Sequence, residues 1–403
     1  MKNEFIGYPE ALKLTLSHIT PLQPRAMAFS ECTDHISGED LRARVDVPSV
    51  DVSLKDGYAV RSEDVAKASA QSPVELEISD TAAAGVPSAD RVLSGTTVRV
   101  LTGAKIPEGA DAVVSEEYVQ QEHSRILVFR DAEPGRNILP RGTDVRKGEI
   151  ILRAGDILTP GRVGLAVASG YATISAVPKP RVAILATGDE VLYPGAELEE
   201  GKLYASNMAA LNAWCSRLNM DTRMDIVSDN EKNVSEKLDR AAGENDAVLT
   251  SGGAWMGDRD LVVRTLVTLG WEKVYHRVRM GPGKGAGFGF LKRTPVFVLP
   301  GGPPSNLTAF LFLALPGLMK MAGYSRQIPP LQPVRLKEPV KGKKDWTRFV
   351  FGELEQGDQF CFFIPHRMLS RLRSMAEARC IITIPEAVDG IPEGTTVMGT
   401  MLE

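Results

Sequence analysis

Cysteine and histidine are scarce: four and five residues in a chain of 403. Cys32, Cys215, Cys361 and Cys380 form no CxxC pair, so neither a zinc site nor a disulfide framework is expected. A reducing compartment, the cytoplasm, is the expected setting. His18, His35, His123, His276 and His366 are scattered, which argues against a histidine-based metal centre. No apolar run reaches the roughly 18 to 20 residues of a membrane span. The most apolar stretch, Leu307–Leu318, has the length of a buried helix. Residues 1–8 carry Lys2 and Glu4 and lack the apolar core of a signal peptide. There is no excess of positive charge: 47 basic residues against 51 acidic give a net charge of −4. Broad electrostatic binding to nucleic acid is therefore excluded. Global disorder is excluded as well, because 43% of the residues are apolar and 24% charged.

At roughly 150 residues per domain, the length suggests about two to four domains. Apolar spacing predicts an amphipathic helix over 4–20. From 44 to 144, short β-rich runs (Val74–Ile78, Thr97–Leu101, Ala112–Glu116, Ile126–Phe129) alternate with Gly/Pro turns, as in a small insert. Gly161–Ser169 reads as a helix, and Val177–Pro180 as a linker. Beyond it, strands at Arg181–Ala186, Thr222–Val227, Asp246–Thr250 and Thr294–Leu299 alternate with helices at Asn207–Leu218, Glu231–Ala242, Asp260–Leu269 and Leu307–Ala322. That alternation predicts a mostly parallel, doubly wound α/β sheet. Proline-rich residues 326–334 read as a second linker, and the remainder as a small β-rich domain.

Ligands of parallel α/β sheets sit beyond the carboxyl ends of the strands, and three loops there are rich in glycine. They are Ala186-Thr-Gly188-Asp-Glu190, Ser251-Gly252-Gly253 through Asp260, and Pro300-Gly301-Gly-Pro303-Pro-Ser305-Asn. Glycine admits close approach of a ligand, and a following helix N-terminus offers N–H groups to phosphate. None is a P-loop, and no GxGxxG follows a first strand, so NTPase and Rossmann chemistry are disfavoured. Asp189, Glu190, Asp229, Asp258 and Asp260 cluster in the same loops, and carboxylates beside a phosphate site point to magnesium. Lys284, on the turn Pro282-Gly-Lys-Gly285, adds a point charge able to bind an oxyanion.

Together these motifs resemble the MoeA family of molybdenum-inserting enzymes, whose module also occurs in gephyrin and plant Cnx proteins. The likeness runs through Pro48–Val60 (PSVDVSLKDGYAV), Leu101–Val114, Arg141–Asp144, Ala186–Glu190, Ser206-Asn207, the Ser251 loop ending in Asp260, and Leu299–Pro303. The resemblance implies an α/β multidomain fold in four parts. These are a discontinuous N-terminal dimerisation domain (1–43 with 145–176), a β-rich insert (44–144), a molybdopterin-binding α/β domain (177–327) and a C-terminal β-rich domain (328–403). It also implies a homodimer in which insert loops of one subunit cover the α/β cleft of the other. Asp56, Thr102, Asp144, Glu190, Asp229 and Asp260 would line that cleft, with Glu190 and Asp260 holding Mg2+. Gly188, Ser251, Gly252, Gly253, Lys284, Pro300, Gly301, Pro303, Ser305 and Arg348 would bind the cofactor precursor. The implied reaction joins adenylylated molybdopterin and molybdate, giving molybdenum cofactor and AMP. A molybdopterin adenylyltransferase and maturation proteins of molybdoenzymes are implied as further partners.

The sequence departs from the family pattern in one region. Gly281 stands where a lysine is usual, Ala254 and Trp255 interrupt a serine-bearing motif, and Gly302 replaces an asparagine. Phe351 occupies an arginine position, and Pro365-His366 replaces a Gly-Ser pair. Lys284, Ser305 and Arg348, joined by His366, remain as candidates to hold a tetrahedral dianion. Three outcomes stay open: molybdate insertion, insertion of another oxyanion such as tungstate, or ligand binding without insertion.

Overall fold

The computed structural model describes residues 5–252, 261–326, 329–366 and 371–403. The chain forms two compact units, one of residues 1–25 with 177–403 and one of residues 26–176.

The first unit begins with helix α1 (Tyr8–His18), which packs on the last helices of the α/β domain and buries Ala11 and Thr15. This N-terminal helix, expected with the discontinuous domain 1–43, thus sits in the core of the α/β unit. The sheet comprises β1 (Val182–Thr187), β2 (Thr222–Val227), β3 (Ala247–Ser251), β4 (Glu272–His276), β5 (Gly287–Leu291) and β6 (Thr294–Leu299). Its order is β2-β1-β3-β6-β5-β4. The first four strands are parallel, and β5 and β4 extend the sheet as antiparallel additions. Strand β1 shows why the sheet is covered on both faces. Val182, Ile184 and Ala186 join one core with α2 (Ser206–Arg217) and the helical stretch from α5 (Pro303–Ala309) to α6 (Leu315–Met321). Ala183 and Leu185 join the opposite core with α3 (Glu231–Glu244) and α4 (Leu261–Thr268). Successive side chains point to opposite faces, so an unbroken apolar strand needs helices on both.

Five strands then close a ring: β7 (Leu331–Leu336), β8 (Thr347–Gln356), β9 (Cys361–Pro365), β10 (Cys380–Ile384) and β11 (Thr396–Met401). Strand β8 pairs with both β9 and β10, and β7 and β11 complete the circuit. Val334, Leu336, Phe363, Ile382 and Ile384 fill the interior. Strand β7 starts inside the proline-rich stretch expected to be a linker. Pro333 takes part in the ladder with β11, because an alternation of inward Val334 and Leu336 outweighs one missing donor. A short helix, α7 (Arg371–Glu377), interrupts this β-rich region and packs on α5.

The second unit holds separate cores. Residues from 27–41 and 152–176 surround the helix Pro160–Ala168. Residues from 58–132 pack on the faces of a six-stranded sheet that includes Gly57–Val60 and Thr96–Val100. Among the described residues, no helix is long and apolar enough to cross a membrane.

One buried group should make stability depend on pH. Among the described residues, His276 Nε2 in β4 is buried without a partner. Burial first, then the charges of Arg277 and Lys273, pushes its pKa down to about 4. The folded protein keeps this ring neutral while the unfolded chain protonates it near pH ~6.5. Stability from this source is present above that pH and is lost as pH falls toward 4, by roughly 3 kcal/mol in all. Urea titrations at pH 7 and pH 4.5 should therefore show a smaller acid loss in His276→Leu than in the parent protein.

Candidate functional site

The registers Ala186↔Ser251 and Ser251↔Leu299 align the carboxyl ends of β1, β3 and β6 in one row. The loops leaving those ends border a cleft of about 460 Å³. Gly188 has φ +142° and Gly252 φ +111°, conformations that other residues rarely adopt. Two asparagines in the first turns of helices fasten the loops. Asn306 of α5 is 2% exposed, and its Nδ2 donates to Ser251 Oγ (3.0 Å) and to the Pro300 carbonyl (2.9 Å). Asn207 of α2 donates from Nδ2 to Ser251 Oγ (3.3 Å) and to the Gly301 carbonyl (2.7 Å). Ser251 Oγ thus accepts two bonds, which leaves its O–H to donate elsewhere. Thr187 Oγ1 is buried with no partner among the described residues. A Cβ at position 252 would lie 2.8 Å from it, so this hydroxyl faces the glycine loop. The first turn of the twelve-residue α2 also lines the cleft, bringing the positive end of a helix dipole and free N–H groups. This is a set of donors suited to phosphate oxygens.

Of the residues expected from sequence, Glu190, Ser251, Gly252, Gly301 and Pro303 line this cleft. Gly188 lies beneath Glu190, whose carboxylate folds back to 2.5 Å from where a Cβ at 188 would stand. Pro300 contributes through its carbonyl. Asp229, just past β2, donates its N–H to Asp189 Oδ1 at 3.0 Å. Partial desolvation, then the charges of Asp189 and Glu190, raises its pKa above the ordinary carboxylate value. The three acids stand close enough for their charges to act on one another. No group of three or more His, Cys, Asp or Glu able to hold a metal occurs among the described residues. Gly253, Ala254, Trp255, Asp258 and Asp260 lie outside the described residues.

Other expected residues stand elsewhere. Ser305 is half-buried in the first turn of α5, and Lys284 is exposed on the turn before β5. Neither lines the cleft. Arg348 and His366 line a second cavity of about 490 Å³, together with Gly281, Pro282 and Phe351. There Arg348 Nη1 donates to the Lys341 carbonyl. His366 is held at both ring nitrogens, by the Ser374 carbonyl (2.9 Å) and Glu353 Oε1 (3.1 Å). The four expected oxyanion ligands therefore do not converge: two line this cavity, and His366 has both nitrogens engaged.

In the second unit, Asp56 Oδ1 accepts from the N–H of Thr102 (2.6 Å) and from its hydroxyl (2.8 Å). Those two bonds, aided by Arg99, hold the Asp56 carboxyl below the usual carboxylate range. Gly57↔Val100 pairing sets the two residues side by side. Asp144 is exposed on a loop anchored by its N–H to the Val47 carbonyl (2.9 Å).

Thr187 and Asn306 fall inside the glycine loops read from sequence but carry no role there, and Tyr204 lies outside those loops. An asparagine in a first helical turn directly after a Gly-rich loop was the available signal for Asn306. Nothing marked Tyr204.

Comparison with known proteins agrees along the whole chain. Residues 6–170 match the MoeA N-terminal region (domain I and II), 183–320 the "Probable molybdopterin binding domain", and 333–399 the MoeA C-terminal region (domain IV). The molybdopterin molybdenumtransferase of Haemophilus influenzae is 30% identical over 384 residues, covering 94% of this chain and 93% of that protein. The protein of the same name from Staphylococcus aureus strain COL is 28% identical over 403 residues, covering 98% and 95%. Two crystal structures of molybdopterin biosynthesis moeA protein from Pyrococcus horikoshii superpose with TM-scores of 0.83 and 0.79. Their identities are 30% and 29%, each covering 99% of this chain and 100% of the other. Similar in sequence and in fold from end to end, the chain belongs to the MoeA family.

Proposed function

We propose that the chain is a molybdopterin molybdenumtransferase of molybdenum cofactor biosynthesis, inserting molybdate into adenylylated molybdopterin with release of AMP. The observation that carries this reading is the donor-lined cleft at the ends of β1, β3 and β6, its loops fastened through Asn207, Asn306 and Ser251. The Ser251 hydroxyl and the first turn of α2 hold the phosphates by hydrogen bonds and dipole. Glu190 and Asp260 would hold Mg2+, which would supply positive charge against the phosphates. Asp56, kept ionised by Thr102, serves as an acceptor toward the reacting groups. The working form is a homodimer, with Asp56, Thr102 and Asp144 delivered by the second copy.

A second reading, ligand binding without molybdate insertion or insertion of tungstate, is favoured by the scattering of the oxyanion candidates. Lys284 and Ser305 lie outside the cavity of Arg348 and His366. One assay separates these readings. AMP release from adenylylated molybdopterin with magnesium should depend on molybdate, and light scattering at micromolar concentration should give a dimer. AMP release that responds only to tungstate, or none with either oxyanion, would select the alternative.

A further inference from the structure

The lining of the cleft mixes two chemistries, polar donors and large apolar residues that stay partly exposed. Leu203 is 49% exposed, Tyr204 39% and Leu372 54%, and all three line the cleft. Single exposed apolar residues are ordinary on a protein surface. Leu203 and Tyr204 come from a segment far from Leu372 in the chain, yet all three line the same cleft. Leu203–Tyr204 is a short strand paired with Val191–Leu192, just past Glu190. Leu372 belongs to α7, which packs on α5 beyond Gly301.

Tyr204 is held in place before any ligand arrives. Its hydroxyl donates to the Ala196 carbonyl at 2.9 Å, and backbone bonds Leu203 N–H to Glu190 O (2.8 Å) and Ala205 N–H to Leu192 O (2.9 Å) fix the strand on either side. No aromatic or cationic group among the described residues covers its ring. A rigid aromatic face that stays partly exposed loses little entropy when it receives a flat partner. The cleft, at about 460 Å³, has room for a bicyclic ring joined to phosphates.

We propose that Leu203, Tyr204 and Leu372 seat a planar, nitrogen-rich bicyclic ring of the substrate, with its phosphate chain running to Ser251, Gly252 and Gly301. The proposal rests on the substrate named under Proposed function and adds which residues meet its ring. It also makes Tyr204 and Leu372 positioning residues, the latter contributed by the C-terminal region. An adenylylated pterin carries two such rings, pterin and adenine, with the same stacking chemistry.

The test uses the full chain with two probes, 6-hydroxymethylpterin followed by its fluorescence and AMP followed by calorimetry. Tyr204→Ser and Leu372→Ser should each weaken one probe by about tenfold or more, and Tyr204→Phe, which keeps the face and loses only the bond to Ala196, should lose clearly less than Tyr204→Ser. The probe that responds identifies the ring. In turnover, KM for adenylylated molybdopterin should rise in step while kcat holds. Equal affinity of both probes for the parent and Tyr204→Ser would overturn the proposal. So would a Tyr204→Phe variant as weak as Tyr204→Ser, since the hydroxyl rather than the face would then matter. A change of oligomeric state with unaltered probe affinity would instead make this wall a subunit contact. A parent protein that releases no AMP yet binds a probe through Tyr204 would sink the reaction while sustaining this wall. A parent that releases AMP but binds neither probe would do the reverse.

Discussion

Glu190→Gln is expected to lower AMP release by about a hundredfold or more, the scale seen when one charge-stabilising group is removed from an active site. The side chain lines the cleft and lies over Gly188, so an amide of equal shape keeps the packing and removes only the charge. Folding should be nearly unaffected, because substitutions at exposed positions usually fall within about 0.5 kcal/mol. Repulsion in the acidic corner should also ease, since Glu190 is one of the two charges that raise the pKa of Asp229. Thermal melting and AMP release measured on the same preparation check both halves. Undiminished AMP release would remove Glu190 from the mechanism.

Gly252→Ala should damage fold and function together. A Cβ there would stand 2.6 Å from the Thr187 carbonyl and 2.8 Å from Thr187 Oγ1, on a backbone at φ +111°. The carbonyl belongs to the end of β1 and cannot swing away as a long side chain would. Strain of this type costs about 1–3 kcal/mol, and the displaced loop takes Ser251 out of line with Asn207 and Asn306. A fall in urea midpoint and at least a tenfold loss of AMP release are expected, since misplacement by about 1 Å can cost a hundredfold. Gly243→Ala is the matched control. That glycine lies in α3, with open space at its Cβ position, and the change should stabilise by up to ~1 kcal/mol. Equal stability of Gly252→Ala and the parent would mean that the loop adapts without cost.

Much of the candidate site was legible because it is local. A glycine loop after a buried strand is a run of adjacent residues, and Thr187 to Glu190 and Ser251-Gly252 stand where that pattern places them. The oxyanion set was not local. Lys284, Ser305, Arg348 and His366 come from four segments, and whether they meet depends on strand pairing that no spacing reveals. The pairing of β8 with the Val278–Gly281 strand, at Gly281↔Arg348, brings Arg348 beside Gly281 and leaves Lys284 on an exposed turn.

The alternation of strands and helices in the α/β sheet follows from the order of apolar and polar residues alone. Six residues such as Val182–Thr187, apolar at both parities, are compatible with a strand covered on both faces, and Thr222–Val227 and Thr294–Leu299 stand within their expected limits. Tertiary structure decided what local pattern leaves open. The Tyr8–His18 helix carries one apolar face that several partners could cover, and it is the α/β core that covers it. Residues 331–334 of β7 read as linker because they end a proline-rich stretch, yet the two flanking strands supply enough ladder and core contact to hold them extended. Leu203, Tyr204 and Leu372 are unremarkable along the chain. They share one cleft only because α7, whose own sequence sits in a β-rich region, finds its packing surface on α5. Short elements gain most of their stability from such packing rather than from propensity, and packing is decided by the whole fold.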